Sequence, residues 1–259
     1  MNRNAEHGTR FPGIDLHLHT TRSTGDSTLT AVRLVERAQE TGLIQVAVTN
    51  HGTINGAEEV LEIAKERNTG LAVIPAEEIK TSENIELLGY FLKVTIPSGF
   101  SLRETIREIK NQEGLLGIPH PFESRRWGVC ERAEEVLQMA KELSFEVVLW
   151  EIFNANSSPE NNRKALSFFF NNQHGNDQQP PLLLIVGSDA HSARQVGNAR
   201  LLWIPSSPTK EDLIYNLTRR VNQGGTWYSG NDNPLRSRTD RALNRVDLVV
   251  QKAKSWMVR

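Results

Sequence analysis

The chain has 259 residues and a formal net charge of −1, and its 38% hydrophobic and 24% charged residues are an ordinary globular composition. This near-neutral charge argues against an extended nucleic-acid surface and against binding to an anionic membrane. Residues 1–10 lack the apolar core of a signal peptide, and no apolar run approaches the roughly 20 residues that span a bilayer, so we expect a cytoplasmic protein.

Strand-like and helix-like segments alternate along most of the chain. The apolar patterns predict strands at Ile14–His19, Leu43–Thr49, Leu71–Ile79, Ile85–Val94, Leu115–Pro119, Phe145–Trp150, Leu182–Val186 and Arg200–Ile204. Helices are predicted at about Leu29–Thr41, Gly56–Arg67, Leu102–Gln112, Arg132–Leu143, Pro159–Phe170 and Lys210–Gln223. The alternation amounts to roughly seven βα units, which favours an α/β barrel over an open sheet.

Three regions are expected from the pattern. Residues 1–12 are interpreted as a flexible N-terminal segment, residues 13–230 as the barrel domain, and residues 231–259 as a polar, arginine-rich C-terminal tail. A final helix is predicted within this tail, at about Arg241–Met257. The sequence does not indicate an oligomeric state or a purpose for the tail.

Five of the seven histidines follow an apolar run. His17 and His19 occupy positions i and i+2 of the first strand, so both rings point to one face of it. Imidazole is the commonest protein ligand of transition metals, and the pair is therefore either half of a metal site or two solvated side chains. Because Cys130 is the only cysteine, any further ligands must be histidines or carboxylates.

Other strand ends supply ligands of the same types. Asp26 follows the first strand and either reaches the two histidines or caps the helix predicted near Leu29. Only one of Glu77 and Glu78 can face the same mouth, because adjacent residues of a strand point to opposite faces. The remaining candidates at strand ends are His51, His120, Asp189 and His191.

Taken in order, these motifs resemble the polymerase and histidinol phosphatase (PHP) family of metal-dependent phosphoesterases. The resemblance covers about residues 13–205. It rests on Asp15-Leu16-His17-Leu18-His19, Asp26, Thr49-Asn50-His51, Pro75-Ala76-Glu77-Glu78-Ile79, Ile118-Pro119-His120-Pro121 and Gly187-Ser188-Asp189-Ala190-His191. It implies a distorted (β/α)7 TIM-like barrel with two or three divalent ions in its mouth, and the mixed histidine and carboxylate ligands suit Mn, Zn or Fe.

The resemblance also implies a ligand set, position by position. The expected metal ligands are His17, His19, Asp26, His51, Glu78, His120, Asp189 and His191. Among them, His17, His19, Glu78 and Asp189 are expected to hold the catalytic metal-bound water. Glu78 is preferred to Glu77 because it occupies the family's glutamate position, where it would bridge ions.

The chain departs from the family pattern at two positions. Asn50 stands where the family usually has an aspartate, which removes a charge but keeps a hydrogen-bonding side chain. Glu86 lies where many members carry a further histidine ligand, and it either replaces that ligand or is a surface residue of its strand. The number of ions, two or three, depends on this position.

A phosphoesterase also needs groups that bind phosphate. Arg125 and Arg126 are the leading candidates, because a guanidinium group binds phosphate through two parallel hydrogen bonds. Arg194 is a weaker candidate, and each of the three arginines can equally be a solvated side chain. The resemblance places Asn154 near the mouth, for substrate contact or loop support. Trp127 either stacks on a substrate ring or packs locally.

The function expected from these residues is hydrolysis of phosphate mono- or diesters through a metal-activated water. The expected substrate is a small phosphorylated metabolite, a nucleotide or a short oligonucleotide. A histidinol-phosphate phosphatase is a second enzymatic interpretation. A non-catalytic metal-binding domain with a structural or partner-binding role is the alternative from another class, and an amidohydrolase acting on C–N bonds is a third.

Overall fold

The structure is a computed structural model that describes residues 12–202 and 207–223. The interpretations of residues 1–11 and 231–259, including the predicted tail helix, fall outside the described residues, as does the end of the strand predicted to reach Ile204. Among the described residues, no helix is both long enough and apolar enough to cross a membrane.

Eight strands of the described chain form one sheet in the order β7-β6-β5-β4-β3-β2-β1-β8. The strands are β1 Gly13–Leu18, β2 Leu43–Val48, β3 Ala72–Lys80, β4 Glu86–Tyr90, β5 Leu115–Ile118, β6 Val148–Asn154, β7 Leu182–Gly187 and β8 Leu201–Leu202. The helices are α1 Ala31–Thr41, α2 Asn55–Glu66, α3 Leu102–Asn111, α4 Ala133–Glu142, α5 Pro159–Asn172 and α6 Lys210–Gln223. The predicted α/β barrel is thereby confirmed.

The two sides of the sheet meet at the end of β1, which nearly closes the barrel. Leu18 forms a parallel bridge with Ala190, in the segment that follows β7. The backbone N–H of Asp189 donates to the carbonyl of His17 at 2.7 Å, and that of His19 donates to the carbonyl of Ala190 at 2.9 Å. These bonds bring the first and last ligand motifs of the sequence side by side.

The repeated βα pattern is interrupted at β4, where the prediction of roughly seven βα units needs correction. β4 pairs antiparallel with β3 and with β5, and β8 pairs antiparallel with β1. Only residues 81–85 join β3 to β4, which is too short for the crossover that a parallel pair requires. The two strands therefore form a hairpin, closed by a hydrogen bond from Thr81 N–H to the Ile85 carbonyl at 2.9 Å.

Most predicted strand ends differ from the observed ones by about one residue, and β4 and β6 differ by three or more. β4 stops at Tyr90 rather than Val94, because Phe91 has a positive φ of 58° and leaves the ladder. β6 begins at Val148 rather than Phe145, whose N–H closes the end of α4 by donating to the Ala140 carbonyl at 2.9 Å. β6 also continues to Asn154 rather than ending at Trp150, so the polar residues near its end belong to the strand itself.

The helices begin and end where local capping dictates. The Thr30 side chain accepts from the N–H of Arg33 at the start of α1, and Gly42 ends that helix in the left-handed conformation that glycine adopts without strain. Ser101 and Glu104 form a capping box at the start of α3. The helices pack their apolar faces onto the strands, so each fully buried Leu or Ile contributes roughly 1.5–3 kcal/mol to stability.

Candidate metal centre

The cluster starts with two histidines at the end of β1. The side chains of His17 and His19 are both fully buried, and their Nε2 atoms lie 3.3 Å apart. Residues i and i+2 of an extended segment share a face, which is why both rings enter the same space. The solvated-pair interpretation is therefore wrong for these side chains.

Glu78 on β3 joins the two histidines and connects them to a third. Its Oε2 lies 3.2 Å from Nε2 of His17 and 3.1 Å from Nε2 of His19. Its Oε1 lies 2.9 Å from Nε2 of His120, which follows β5. The two oxygens of one buried carboxylate thus face two different sets of imidazoles.

Glu77 points away from this cluster, as the alternation of strand residues requires. Its Oε2 accepts from the N–H of Ile96 at 2.8 Å, on the other side of β3. Its Oε1 is buried without a hydrogen-bond partner among the described residues. Burial raises the pKa of the Glu77 carboxyl to about 7.

Asp189 brings a second carboxylate to the first two histidines. Its Oδ1 lies 3.7 Å from Nε2 of His17 and 3.4 Å from Nε2 of His19. The residue has a positive φ of 51°, so the chain turns sharply after β7. The amide of Asn154 donates to Oδ2 at 3.2 Å and orients the carboxylate.

A second, more open group lies beside His19. Asp26 Oδ2 is 3.2 Å from Nε2 of His51 and 3.4 Å from Nε2 of His191. The rings of His51 and His191 stack against that of His19 at centroid distances of 4.8 and 4.3 Å. The alternative interpretation of Asp26 as a helix cap is wrong, because Thr30 caps α1 and Asp26 faces the histidines.

Glu86 at the start of β4 lies between the two groups. Its Oε2 is 3.6 Å from Nε2 of His120 and its Oε1 is 4.0 Å from Nδ1 of His51. The residue is only 4% exposed, so the alternative of a surface strand residue is wrong. The hairpin of β3 and β4 creates this position, because it turns β4 back along the face that carries Glu78.

Two residues of β6 support the candidate ligands from behind. Glu151 Oε1 lies 3.0 Å from Nδ1 of His17, and its Oε2 accepts from the backbone N–H of His120 at 2.6 Å. Asn154 is fully buried and donates to Glu151 Oε2 at 3.1 Å as well as to Asp189. Asn154, a candidate for substrate contact, is thus placed behind the ligands and supports them.

The sequence reading missed the part played by Asp15, which stands two residues before His17. Asp15 Oδ1 accepts from the N–H of Ser188 at 3.0 Å and of His17 at 3.4 Å, and Oδ2 accepts from that of Gly197 at 3.4 Å. Burial raises the pKa of its carboxyl to about 6. Asp15 thereby ties β1 to the loop that carries Asp189, and its place inside the first motif was the signal for that role.

Asn50 does not face the cluster. Its Oδ1 accepts from the N–H of Thr20 at 2.7 Å, and its amide donates to the Thr20 hydroxyl at 2.9 Å. Gly56 packs so closely that an added Cβ would lie 2.1 Å from the Asn50 amide nitrogen. Asn50 therefore fastens the loop after β1, and an uncharged side chain is sufficient for that task.

Two of the three candidate arginines are exposed. Arg125 is exposed on the short 3-10 turn Ser124–Arg126, and Arg194 is exposed in the loop after His191. The side chain of Arg126 lies outside the described part of the structure. The sequence reading also passed over Lys80, the last residue of β3, whose ammonium lies 3.2 Å from the centroid of the Trp127 ring.

The charges of the cluster change the proton affinities of its members. Burial lowers the pKa of His17, but the negative charges of Glu78, Glu151 and Asp189 outweigh it and raise that pKa well above its usual value. Burial raises the pKa of Glu78, but His17 and the hydrogen bonds from the neighbouring imidazoles lower it well below its usual value. Each ligand therefore stabilises the charge of another.

The donor set fits divalent metal ions. Glu78 is 2% exposed, and its ion-pair partners among the described residues are all imidazoles. A buried carboxylate needs compensating positive charge, and Nδ1 of both His19 and His120 is buried without a hydrogen-bond partner in the described structure. Three groups have ligand atoms within 4.8 Å of one another: His19, Asp26, His51 and His191; His17, His19 and Asp189; and His17, Glu78 and His120.

A protein-family model and several known proteins match parts of this chain. The PHP domain model matches residues 15–150, which is more than half of the chain. An uncharacterised protein of Methanocaldococcus jannaschii is 38% identical over 117 residues, 42% of this chain and 67% of that protein. The 5′–3′ exoribonuclease Rnm of Escherichia coli is 30% identical over 127 residues, which are 48% of this chain and 43% of the enzyme.

A solved structure has the same fold. A proposed metal-dependent phosphoesterase of Bifidobacterium adolescentis superimposes with a TM-score of 0.53 at 18% identity, covering 81% of this chain and 96% of that one. At this level of identity the likeness establishes the fold.

Proposed function

The chain belongs to the PHP domain family, and from that premise we propose that it is a metal-dependent hydrolase of phosphate esters. The proposed substrates are the mono- or diesters of a small metabolite, a nucleotide or a short oligonucleotide. The observation that carries the proposal is Glu78, whose two oxygens face His17 and His19 on one side and His120 on the other. A bridging carboxylate of this kind is suited to hold two ions close together.

We assign the metal ligands by the side chains that converge. One ion would be held by His17, His19, Asp189 and Glu78, a second by Glu78, His120 and Glu86, and a third by Asp26, His51 and His191. Two ions need only the buried ligands, and a third depends on the more exposed group. Mn, Zn and Fe all suit such histidine and carboxylate ligands.

Bound divalent ions lower the pKa of a coordinated water and neutralise the charge of a phosphate, which is the chemistry that ester hydrolysis needs. The protein's own contribution is orientation. Glu151 fixes the His17 ring, Asn154 fixes Asp189, and Asp15 ties the first motif to the last. Glu78 stays ionised across the neutral pH range, because its pKa is lowered well below its usual value.

The three candidate arginines are proposed to bind the substrate phosphate. Arg125, Arg126 and Arg194 all follow ligand-bearing strand ends, where a bound phosphate would be within reach of flexible side chains. The near-neutral charge of the chain favours a small substrate over a long nucleic acid. Because the chain aligns with less than half of the exoribonuclease, the activity of that enzyme is a guide only to the class of bond.

The experiment that tests this function starts from metal-stripped protein reloaded with Mn²⁺, Zn²⁺ or Fe²⁺. Hydrolysis is measured for p-nitrophenyl phosphate, bis-p-nitrophenyl phosphate, nucleotides and histidinol phosphate. An amide substrate is measured as well, because its turnover would favour the amidohydrolase interpretation. His17→Ala is expected to lower metal content and abolish turnover together, whereas His174→Ala, at an exposed histidine, is the matched control. Full metal loading without turnover of any ester would overturn the proposal and favour the non-catalytic alternative.

A further inference from the structure

A cation and an aromatic ring face each other near the metal-ligand cluster. The ammonium of Lys80 lies 3.2 Å from the centroid of the Trp127 ring, an attraction that fixes the two side chains relative to each other. Trp127 is 40% exposed, whereas Trp150 in the core is fully buried. A ring that served only to fill the core would not be left open to this extent.

The strand register places Lys80 on the face of the hairpin that carries metal ligands. Lys80 stands two residues after Glu78 on β3 and pairs directly with Glu86 on β4. Residues at i and i+2, and residues paired across a ladder, project from the same face. Lys80 therefore lies on the same face of the sheet as the carboxylates of Glu78 and Glu86, at the end of β3.

The loop that carries Trp127 is built firmly onto this hairpin. The Trp127 carbonyl accepts from the N–H of Glu86 at 2.9 Å. The N–H of Gly128 donates to the Glu123 carbonyl at 3.0 Å, and a Cβ at Gly128 would lie 2.5 Å from the carbonyl of His120. Trp127 itself has a φ of 53° and a ψ of 38°, which is uncommon for a bulky residue. The loop that positions His120 thus also positions the ring.

Lys80 also carries a charge that the described structure does not neutralise. No carboxylate of the described residues lies within ion-pair distance of its ammonium, whereas Lys93 pairs with Glu113 at 2.6 Å. Glu86, its partner across the ladder, turns its carboxylate towards His51 and His120 instead. The rim therefore presents an available positive charge next to an exposed aromatic ring.

We propose that Lys80 and Trp127 form a subsite for a nucleotide, in which Trp127 stacks on the base and Lys80 contacts a phosphate other than the one being hydrolysed. The proposal rests on the proposed function and narrows its substrates. A flat ring beside a cation matches a base beside a phosphate, whereas an aliphatic phosphate would make no stacking contact with the ring. Because every base has a π-face, the subsite discriminates weakly among the four bases.

The kinetic test compares two substrates of the Mn²⁺-loaded protein, adenosine 5′-monophosphate and glycerol 3-phosphate. Trp127→Ala is expected to raise KM for the adenosine substrate about 10-fold, the range that stacking on one aromatic ring provides, and to leave glycerol 3-phosphate unchanged. Trp127→Phe should restore part of the loss. The matched control is Tyr215→Ala, which removes an exposed ring that lies 5.4 Å from the Arg219 guanidinium on α6. Equal effects on both substrates, or none, would overturn the subsite.

A binding measurement separates this proposal from the proposed function. Calorimetry with the Mn²⁺-loaded protein and hydrolysis-resistant phosphonate analogues is expected to show tighter binding of the adenosine 3′,5′-bisphosphate analogue than of the adenosine 5′-monophosphate analogue, and Lys80→Met is expected to abolish that difference. If binding depends on Trp127 and Lys80 in this way but no ester is hydrolysed, the subsite stands and the proposed function fails. If esters are hydrolysed and the variants bind both nucleotides as the native protein does, the function stands and the subsite is wrong.

Discussion

Glu151 and His17 meet behind the cluster of ligands, with Oε1 of the carboxylate 3.0 Å from Nδ1 of the ring. The opposite nitrogen of the same ring, Nε2, faces Glu78 Oε2 at 3.2 Å. A carboxylate at Nδ1 keeps the proton on that nitrogen and leaves Nε2 available to a metal ion. Glu151 also accepts from the N–H of His120 at 2.6 Å, so one residue of β6 orients two ligands.

We expect Glu151→Gln to weaken metal binding without removing a ligand. An amide has a single acceptor oxygen, which can serve His17 or the His120 backbone but not both. Metal affinity should fall about 10- to 100-fold, as is usual when a residue that orients a ligand is lost. Competition with a chelating indicator measures the change, and Glu146→Gln, at an exposed glutamate just before the same strand, is the control. Unchanged affinity in the first variant would show that Glu151 has no orienting role.

Removal of Glu86 is expected to cost one metal ion. Its carboxylate lies 3.6 Å from His120 and 4.0 Å from His51, where it would complete the ligand set of the second ion together with Glu78. Elemental analysis of Glu86→Ala should therefore find one ion fewer per chain than in the native protein. Glu62→Ala, at an exposed position of α2, should keep the native content. If both variants bind the same number of ions, Glu86 is not a ligand.

Asn50→Asp tests whether Asn50 serves only to fasten the loop after β1 or stands in place of an aspartate that catalysis needs. An aspartate retains the acceptor for Thr20 N–H and can accept from the Thr20 hydroxyl, so both contacts are kept. We expect kcat/KM to stay within about threefold of the native value, which is less than 1 kcal/mol. Asn50→Leu should lower the free energy of unfolding by about 1–3 kcal/mol, because it leaves buried polar groups without partners. A large gain of activity in Asn50→Asp would instead show that catalysis needs the aspartate that the family usually has at this position.

Glu77 is expected to make stability depend on pH. Its pKa is about 7 in the folded chain, against 4.5 for the ordinary carboxyl, so the unfolded chain ionises first as pH rises. Below pH 4.5 the Glu77 carboxyl is neutral in both the folded and the unfolded chain, so its titration does not affect stability. Between pH 4.5 and 7 the unfolded chain loses this proton first, and the free energy of unfolding therefore falls as pH rises. Glu77→Gln should therefore raise the free energy of unfolding at pH 8 by on the order of 1–3 kcal/mol and leave it nearly unchanged at pH 4.

Urea unfolding of metal-stripped protein at the two pH values measures this effect, since bound metal would otherwise dominate the stability. Glu62→Gln, at a solvated glutamate, is the control and should shift neither value. A gain of the same size at both pH values would mean that the side-chain shape of Glu77, and not its ionisation, sets the difference.

Local chain geometry determined much of the centre from the sequence alone. His17 and His19 share a face because strand residues alternate with a period of two, and the same rule sends Glu77 and Glu78 to opposite sides of β3. Strand ends of a barrel meet at one mouth, so motifs far apart in the chain were expected to converge. The family pattern then placed Asp26 and Asp189 among the ligands, where the structure brings them together.

Tertiary packing alone decided the rest. Glu151 meets His17 across 134 residues of chain, and Asn154 lies behind Asp189 because β6 continues three residues further than Glu151. The hairpin of β3 and β4 placed Glu86 in the cluster and Lys80 against Trp127. A sequence pattern specifies the face on which a side chain lies, because that depends only on neighbouring peptide units. It does not specify the partner across the fold, because that depends on how separate strands align when the core is packed.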